Sequence, residues 1–442
     1  MAPQLGPHEL LHVFSFLEAR DLLSAAQVNK VWNEVSMSTE LWRQLCLRRW
    51  ASCRAFPVVL GAQTWRQYYF CRSELEFRVE SGRPQDFICK AISGHTGTID
   101  QLAYVSPHEY RFDERASGTE IWSSPEQPAP LVNLVAYPQL QLVVTVDTQG
   151  LIMAWKAETG SEWASFSLPS SCSSVETCDH PEGPFLLVAC DEGTLYTMTV
   201  PQLQVVSRVA VFPHTPVNLT CSPDKQWVFV SAQDSDLGPK LKNGGLITSR
   251  TQISASFKDR SHRHFGRVFY TQPLAHPSED RPPVSTTLPI RKSSSACWAP
   301  DEAARLMVLH SDDVHLVITT FELKANKSRD RVNILAQQLA SFPLPDSVTP
   351  HLMQAHGSQT ILLTSSSELV LFTIHGLQLM AFQDHQQPIT SLWADADRVI
   401  TAALDLSLRV YVWNKKDTSP VLKSCYHLLG GSHRWASVDS PT

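Results

Sequence analysis

The sequence predicts an α + β multidomain chain: a small all-α unit at the N-terminus, then a much larger all-β unit. Three observations point there. Apolar residues recur at helical spacing through about the first 76 residues. From about Phe87 the chain turns into short apolar runs separated by Gly, Pro, Asp and Ser clusters. Charged residues are only 18% of the 442, below the roughly 25% usual for globular chains, so Ser, Thr, Gln and Pro must fill much of the surface. That composition suits a loop-rich β protein.

The helical part builds element by element. Pro7 suits a first helical turn, where its missing N–H is no loss. Leu10, Leu11, Phe14 and Leu17 follow on one stripe. Asp21 can cap a second helix bearing Leu22, Leu23, Ala26 and Val28. Val28, Val31, Trp32 and Val35 form a third stripe, and Ser38 or Thr39 can cap a fourth helix with Leu41, Trp42 and Leu45. So small a unit cannot cover all of this apolar surface by itself. Either it packs on the C-terminal unit or it docks on a partner. Helix continues beyond residue 45, where Thr64-Trp65-Arg66-Gln67 is a capping box with Thr64 at N-cap and Gln67 at N3.

The β part repeats. Third-strand candidates end near Trp122, Trp155, Met198, Tyr270, Phe321, Phe372 and Trp413. Trp155 to Met198 and Phe372 to Trp413 are about 43 and 41 residues, within the roughly 40–45 of a four-stranded propeller blade. Residues 233–265 and 273–292 are polar, Pro-rich and basic, and are expected to be loop insertions. A last outer strand is expected near Val421–Cys425.

Composition also excludes. A net charge of -6 and a pI near 6.3 argue against a nucleic-acid or acidic-membrane binder. No apolar run approaches the ~18–20 residues that cross a bilayer, and no signal peptide is visible. The 10 cysteines contain no Cys-x-x-Cys pair, which points to free thiols in a reducing compartment, cytoplasmic or nuclear. No nucleophile elbow, P-loop, dinucleotide fingerprint or zinc-protease motif is present, so neither a cofactor nor catalysis is expected. His262-Arg263-His264 lacks further ligands at metal-binding spacing. Lys258, Arg260, Arg263 and Arg267, interrupted by Asp259, suit a solvated loop better than a phosphate site.

The first segment resembles the F-box motif from end to end. The residues that carry the resemblance are Pro7-His8-Glu9-Leu10-Leu11, Phe14-Ser15-Phe16-Leu17, Asp21-Leu22-Leu23, Val28-Asn29-Lys30-Val31-Trp32 and Leu41-Trp42-Arg43. One departure is Gly6, where the family usually has Leu. The segment from Asp384-His385 to Trp413-Asn414 resembles a WD repeat, and the whole chain resembles F-box proteins with WD repeats. The resemblance implies an F-box over 1–45, a helical connector over 46–85, a propeller of six or seven degenerate blades over 86–430, either complete or with one blade incomplete, and a tail over 431–442. It implies a non-catalytic receptor subunit of a Skp–cullin–F-box ubiquitin ligase. The F-box would bind the Skp adaptor, and through it the cullin–RING core, while the propeller takes an unknown protein substrate. Carried over, the adaptor-facing residues are Pro7, Leu10, Leu11, Phe14, Leu17, Val28 and Trp32. The alternative is a non-degradative interaction scaffold with weak or no adaptor binding, which Gly6 and the degenerate repeats motivate. His385, Thr401, Asp405 and Tyr411 match the buried hydrogen-bond network of WD blades, with Tyr in place of Trp. Arg409 is the candidate on the substrate face, since related propellers place a phosphate-binding Arg there; a partly exposed strand arginine is the plainer reading, because Met153 and Tyr196 hold the comparable places.

Overall fold

A computed structural model of the protein describes residues 5–50, 63–81, 129–178, 183–232, 266–277, 283–291, 293–312, 314–328, 331–396, 398–413 and 420–427. The helices are α1 (Pro7–Phe14), α2 (Ala19–Ala25), α3 (Lys30–Ser36), α4 (Thr39–Arg49), α5 (Trp65–Ser81) and the short α6 (Thr271–Ala275). Pro7 opens α1 as expected, behind an extended Gly6 that offers no side-chain cap. Asp21 does not cap α2; Glu18 holds the N-cap position and Asp21 sits in the first turn, where its charge favours the helix dipole. Asn29 caps α3 by accepting from the Trp32 N–H at 2.9 Å. The capping box of α5 closes reciprocally: Gln67 N–H donates to Thr64 Oγ1 at 3.2 Å, and Thr64 N–H to Gln67 Oε1 at 2.8 Å.

The first five helices share one core. Leu10, Phe14, Leu22, Val35, Leu41, Trp42, Leu45, Cys46 and Trp50 bury together with Tyr69 from α5. Helix α4 runs unbroken through residue 45 to Arg49, so the boundary expected there falls inside a helix. The indole N–H groups are both satisfied: Trp42 donates to the Ser36 carbonyl at 2.8 Å, and Trp50 donates to the Glu76 carboxylate. Glu76 also takes Arg49 at 2.7 Å, and Arg49 donates to the Tyr69 hydroxyl at 3.0 Å. Burial pulls the Arg49 guanidinium down, but Tyr69 and Glu76 together raise it further. Arg49 and Arg72 lie over the Trp50 ring at 5.2 and 4.9 Å.

The rest is six antiparallel sheets of four strands among the described residues. The first holds β1 (Leu131–Tyr137), β2 (Leu142–Asp147), β3 (Leu151–Lys156) and β4 (Glu162–Ser167). The second holds β5 (Cys172–Cys178), β6 (Phe185–Cys190), β7 (Thr194–Thr199) and β8 (Val205–Ala210). The third holds β9 (Val217–Cys221), β10 (Trp227–Ala232), β11 (Gly266–Tyr270) and β12 (Ser285–Thr287). The fourth holds β13 (Ser293–Trp298), β14 (Arg305–Ser311), β15 (Leu316–Ser328) and β16 (Arg331–Pro343). The fifth holds β17 (Pro350–His356), β18 (Thr360–Ser365), β19 (Glu368–Thr373) and β20 (Gln378–Phe382), and the sixth β21 (Ile389–Ala394), β22 (Arg398–Ala403), β23 (Ser407–Trp413) and β24 (Pro420–His427). The first strands of consecutive sheets lie side by side from β1 to β21, the arrangement of a WD40-type propeller, and α5 touches β24.

Strand alternation explains the stacking. On β6, Leu186, Val188 and Cys190 face the first sheet, whereas Phe185, Leu187 and Ala189 face the third. Both faces are covered, so the second strands read as continuous apolar runs. Polar links stitch each successive pair of sheets. Tyr137 O–H donates to the Phe185 carbonyl at 2.9 Å, and Leu219 N–H to Ser174 Oγ at 3.1 Å. Trp298 N–H donates to the Thr220 carbonyl at 3.0 Å and Arg305 to the Ser358 carbonyl at 2.8 Å. His356 bonds the Asp395 carbonyl at 3.1 Å and stacks on Trp413 with ring centroids 3.6 Å apart.

Two sequence expectations are corrected. Residues 273–292 are not a plain loop insertion: they carry β12, and Leu274, Leu288 and Ile290 are buried in the cores on either side of the third sheet. The third strand of the fourth sheet does not stop near Phe321 but continues to Ser328. The Trp122 strand and the 233–265 insertion lie outside the described residues, as does the tail.

The aromatic core of the helical unit yields a direct test. Trp50→Ala is expected to cost about 3–5 kcal/mol in unfolding of the helical unit. Trp163→Ala, at a half-exposed strand position, is expected to change stability by less than about 1 kcal/mol. Chemical denaturation followed by circular dichroism separates the two.

Candidate functional site

The helical unit presents apolar side chains that its own core does not need. Val13 is 46% exposed, Phe16 72%, Val28 59% and Val31 44%. Val13 and Val31 lie on α1 and α3, and Phe16 and Val28 in the turns next to them; the two helices meet through an edge-on contact of Phe14 with Trp32, whose centroids are 5.4 Å apart. Pro7 is exposed nearby at the start of α1. Leu11, Leu17 and Trp32 are half-buried against the core. Leu10 and Phe14, at 1% exposure each, lie in the core of the unit. Helix geometry gives the reason, since residues 10 and 14 lie one turn apart on the face turned into the shared core, whereas residue 13 lies off that stripe and residue 16 follows the helix. Val13, Phe16 and Val31 were absent from the sequence-derived set. Their signal was present as apolar residues lying off the buried stripe.

On the sixth sheet three of the four sequence-predicted residues, His385, Thr401 and Asp405, come together through Ser407 as a buried relay, with Tyr411 bonded to Asp384 beside it. Ser407 O–H donates to Asp405 Oδ1 at 2.5 Å, so its oxygen accepts from His385 Nδ1–H at 2.9 Å. That leaves His385 Nε2 to accept from Thr401 O–H at 2.7 Å. Tyr411 O–H donates to Asp384 at 3.1 Å. The first sheet repeats the pattern with Trp155 N–H donating to Thr145 Oγ1 at 2.9 Å. Between Asp405 and Ser407, Leu406 is held at φ 63°, a left-handed conformation costing roughly 1–2 kcal/mol for an L residue. Asp405 spans it by accepting from Ser407 N–H, and its other oxygen accepts from Gln386 N–H, at 2.9 Å each.

Electrostatics follow from this burial. Burial pulls the His385 imidazole below its usual range, more than Asp405 raises it. Burial also lowers His310, whose ring bonds Thr319 at 2.8 Å, and the inter-sheet His356. For Asp405, burial pushes upward, but the bonds from Ser407 and Gln386 outweigh it and hold the carboxyl down to about 2.

Arg409 is the third residue of β23, opposite Thr401, and half-buried; among the described residues its buried Nε has no hydrogen-bond partner. Met153 and Tyr196 are third on β3 and β7 and supply no cation there. A phosphate clamp normally takes several converging cations, so Arg409 remains a lone candidate on this face. Among the described residues no group of three or more His, Cys, Asp or Glu side chains is arranged to hold a metal, and no helix is long and apolar enough to cross a membrane. His262 and His264 lie outside the described residues.

The depressed histidines set a pH dependence. Below pH 6.5, the ordinary histidine value, the unfolded chain takes up protons that the folded chain resists, so stability falls as pH drops. Asp405 acts lower, its contribution being lost as pH falls from 3.8 towards about 2. The thermal midpoint of the strand-rich unit is therefore expected to drop between pH 7 and pH 5. His385→Gln is expected to lower the midpoint at pH 7 and to flatten part of that slope.

Comparison with known proteins agrees with this architecture. Residues 7–48 match the F-box-like family. Over 96% of its length the chain is 34% identical to human F-box/WD repeat-containing protein 12, covering 90% of that protein. Over 97% it is 28% identical to mouse F-box/WD repeat-containing protein 15, covering 91% of it. A shorter match, 29% identical over 96 residues, joins 21% of the chain to 35% of an Arabidopsis thaliana F-box protein. Helical unit, six-sheet array and near-full-length identity together make this chain a member of the F-box/WD repeat-containing protein family.

Proposed function

We propose that the protein is the substrate-recognition subunit of a Skp–cullin–F-box ubiquitin ligase. The helical unit docks on the Skp adaptor, and the strand-rich unit holds the target protein. The chain performs no bond chemistry of its own; its contribution to rate is proximity, which raises the local concentration of the target lysine near the charged conjugating enzyme. One observation carries the reading. A small helical domain whose core is already filled still exposes Val13 and Val31 on two packed helices and Phe16 and Val28 in the turns beside them, the kind of apolar exposure that marks a protein interface. Pro7, Leu11, Leu17 and Trp32 border it. The free cysteines, among them the buried Cys46, Cys172, Cys178 and Cys190, suit a reducing compartment such as the cytoplasm or nucleus.

A second reading is a scaffold that binds partners through the sheets and engages the adaptor weakly. Gly6 favours it, because α1 starts without a side-chain cap and Leu5 stays 54% exposed.

Binding to purified Skp adaptor separates the two. Phe16→Asp and Val28→Asp are each expected to weaken binding about 30-fold or more while leaving the thermal midpoint within a degree or two. Phe14→Asp is expected to lose both folding of the helical unit and binding, since it buries a charge in the core. No measurable affinity of the wild-type chain for the adaptor would sink the ligase reading and leave the scaffold.

A further inference from the structure

The second sheet carries two thiols face to face. Cys172 opens β5 and Cys190 closes β6, and the ladder sets them directly opposite each other. Both are free thiols, Cys172 6% exposed and Cys190 fully buried. A neighbouring hydrogen bond fixes which kind of pair this is. Asp191 N–H donates to the Ser171 carbonyl at 2.9 Å, so residues 171 and 191 carry the ladder's hydrogen bonding and the pair one step inward does not. At such non-hydrogen-bonded pairs the side chains come closest, with Cα atoms only about 4.5 Å apart. That separation lies within the roughly 4.4–6.8 Å that a disulfide spans. Both side chains also lie in one core, between the first and second sheets.

Packing does not demand this pair. The same place beside the bulge of the first strand holds Leu131 and Asp147 in the first sheet, and Ser293 and His310 in the fourth. It holds Pro350 and Ser365 in the fifth sheet and Ile389 and Ala403 in the sixth. Apolar, polar and acidic side chains all fit there. Among the described residues no other cysteines stand opposite each other in a ladder. Cys178 faces Phe185, Cys221 faces Val228, Cys297 faces Met307 and Cys425 faces Arg409.

The thiols are guarded at rest. Burial pushes the Cys172 thiol up to about 12, so little thiolate forms while the strand ends stay closed. The Cys172 thiol makes only a weak bond, to the Ser174 carbonyl at 3.7 Å. Both residues end their strands, where local opening costs least.

We infer that Cys172 and Cys190 form an oxidant-responsive dithiol, which hydrogen peroxide closes to a disulfide and small thiols reopen, stapling the end of β5 to the end of β6. The sulfur of Cys172, the more exposed of the two, takes one peroxide oxygen as the O–O bond breaks, giving a sulfenic acid and one water. The Cys190 sulfur then attacks the Cys172 sulfur, the S–S bond forms, and the hydroxyl leaves as a second water. Two thiols are oxidised by two electrons, and one peroxide is reduced to two waters. The site uses no residue of the helical unit, so it stands independently of adaptor binding.

Peptide mapping of the full chain tests this. Cleavage after Glu162, Glu176, Glu182 and Glu192 puts Cys172, Cys178 and Cys190 on three separate peptides. The reduced protein is treated with hydrogen peroxide, its remaining thiols are blocked in denaturant, and the digest is read by mass spectrometry without reductant. The expected product joins the Cys172 and Cys190 peptides, at least about tenfold over any link to Cys178, because only the first pair has the register for the bond. Dithiothreitol is expected to remove it. The oxidised form is expected to melt several degrees above the reduced one. Cys190→Ser is expected to abolish that rise and to leave a sulfenic acid at Cys172 that dimedone traps. Recovery of Cys172 and Cys190 as free thiols, at a peroxide dose that oxidises the half-buried Cys71 of α5, would overturn the inference. A link from Cys178 to either partner as abundant as the expected one overturns it as well.

Discussion

The burial of Trp42 and Trp50 between α4 and α5 is the contact on which the joining of the two halves depends. An F-box-sized unit exposes too much of its surface to fold with much margin alone. Tyr69 and the flanking Trp65 and Tyr68 of α5 cover what α1 to α4 leave open. The same helix then reaches β24. One aromatic core therefore finishes the helical unit and ties it to the strand-rich one. The Arg49–Glu76 pair adds little stability of its own, since both side chains are partly in water, 36% and 24% exposed. Its role is orientation, because Glu76 also accepts the Trp50 indole and Arg49 also reaches Tyr69.

The strand-rich unit obeys a different constraint. The second to fifth sheets are covered on both faces by their neighbours, so stability is shared among five inter-sheet cores rather than one centre. The polar links between sheets, from Tyr137 to His356, add direction to contacts that are otherwise apolar. The relay of His385, Ser407, Asp405 and Thr401 does the same within the sixth sheet, where it holds a strained turn at Leu406. Its members are all buried or nearly so, and a network of that kind stabilises only when each member is satisfied.

Much of this was legible in the residues. Trp155, Met198, Tyr270, Phe372 and Trp413 fall within one residue of the ends of their third strands, because the last apolar residue before each turn closes the core. The capping box at Thr64 and the relay around His385 were legible because both depend on fixed short spacings. Phe321 misled, since β15 keeps alternating past it through Leu323 and Ala325. Residues 273–292 misled because Leu274, Leu288 and Ile290 are isolated among Pro, Ser and Arg, and period cannot be seen in single residues. On the helical unit, the stripe containing Leu10 and Phe14 was the strongest pattern and for that reason is the buried one. The exposed set, Val13, Phe16 and Val31, depends on which face the neighbouring helices cover, a tertiary fact.

An exposed set of apolar side chains on the helical unit is joined to a large array of sheets. The proposed function requires that proteins held by the sheets be brought to ubiquitin transfer by the helices. Quantitative mass spectrometry of ubiquitin-modified lysines in cells expressing the wild-type chain or the Phe16→Asp variant tests that claim most directly, restricted to proteins recovered with both. The expected result is a protein bound equally by the two forms whose ubiquitin modification rises only with the wild type. Equal modification of every shared partner in the two cell lines would contradict the account.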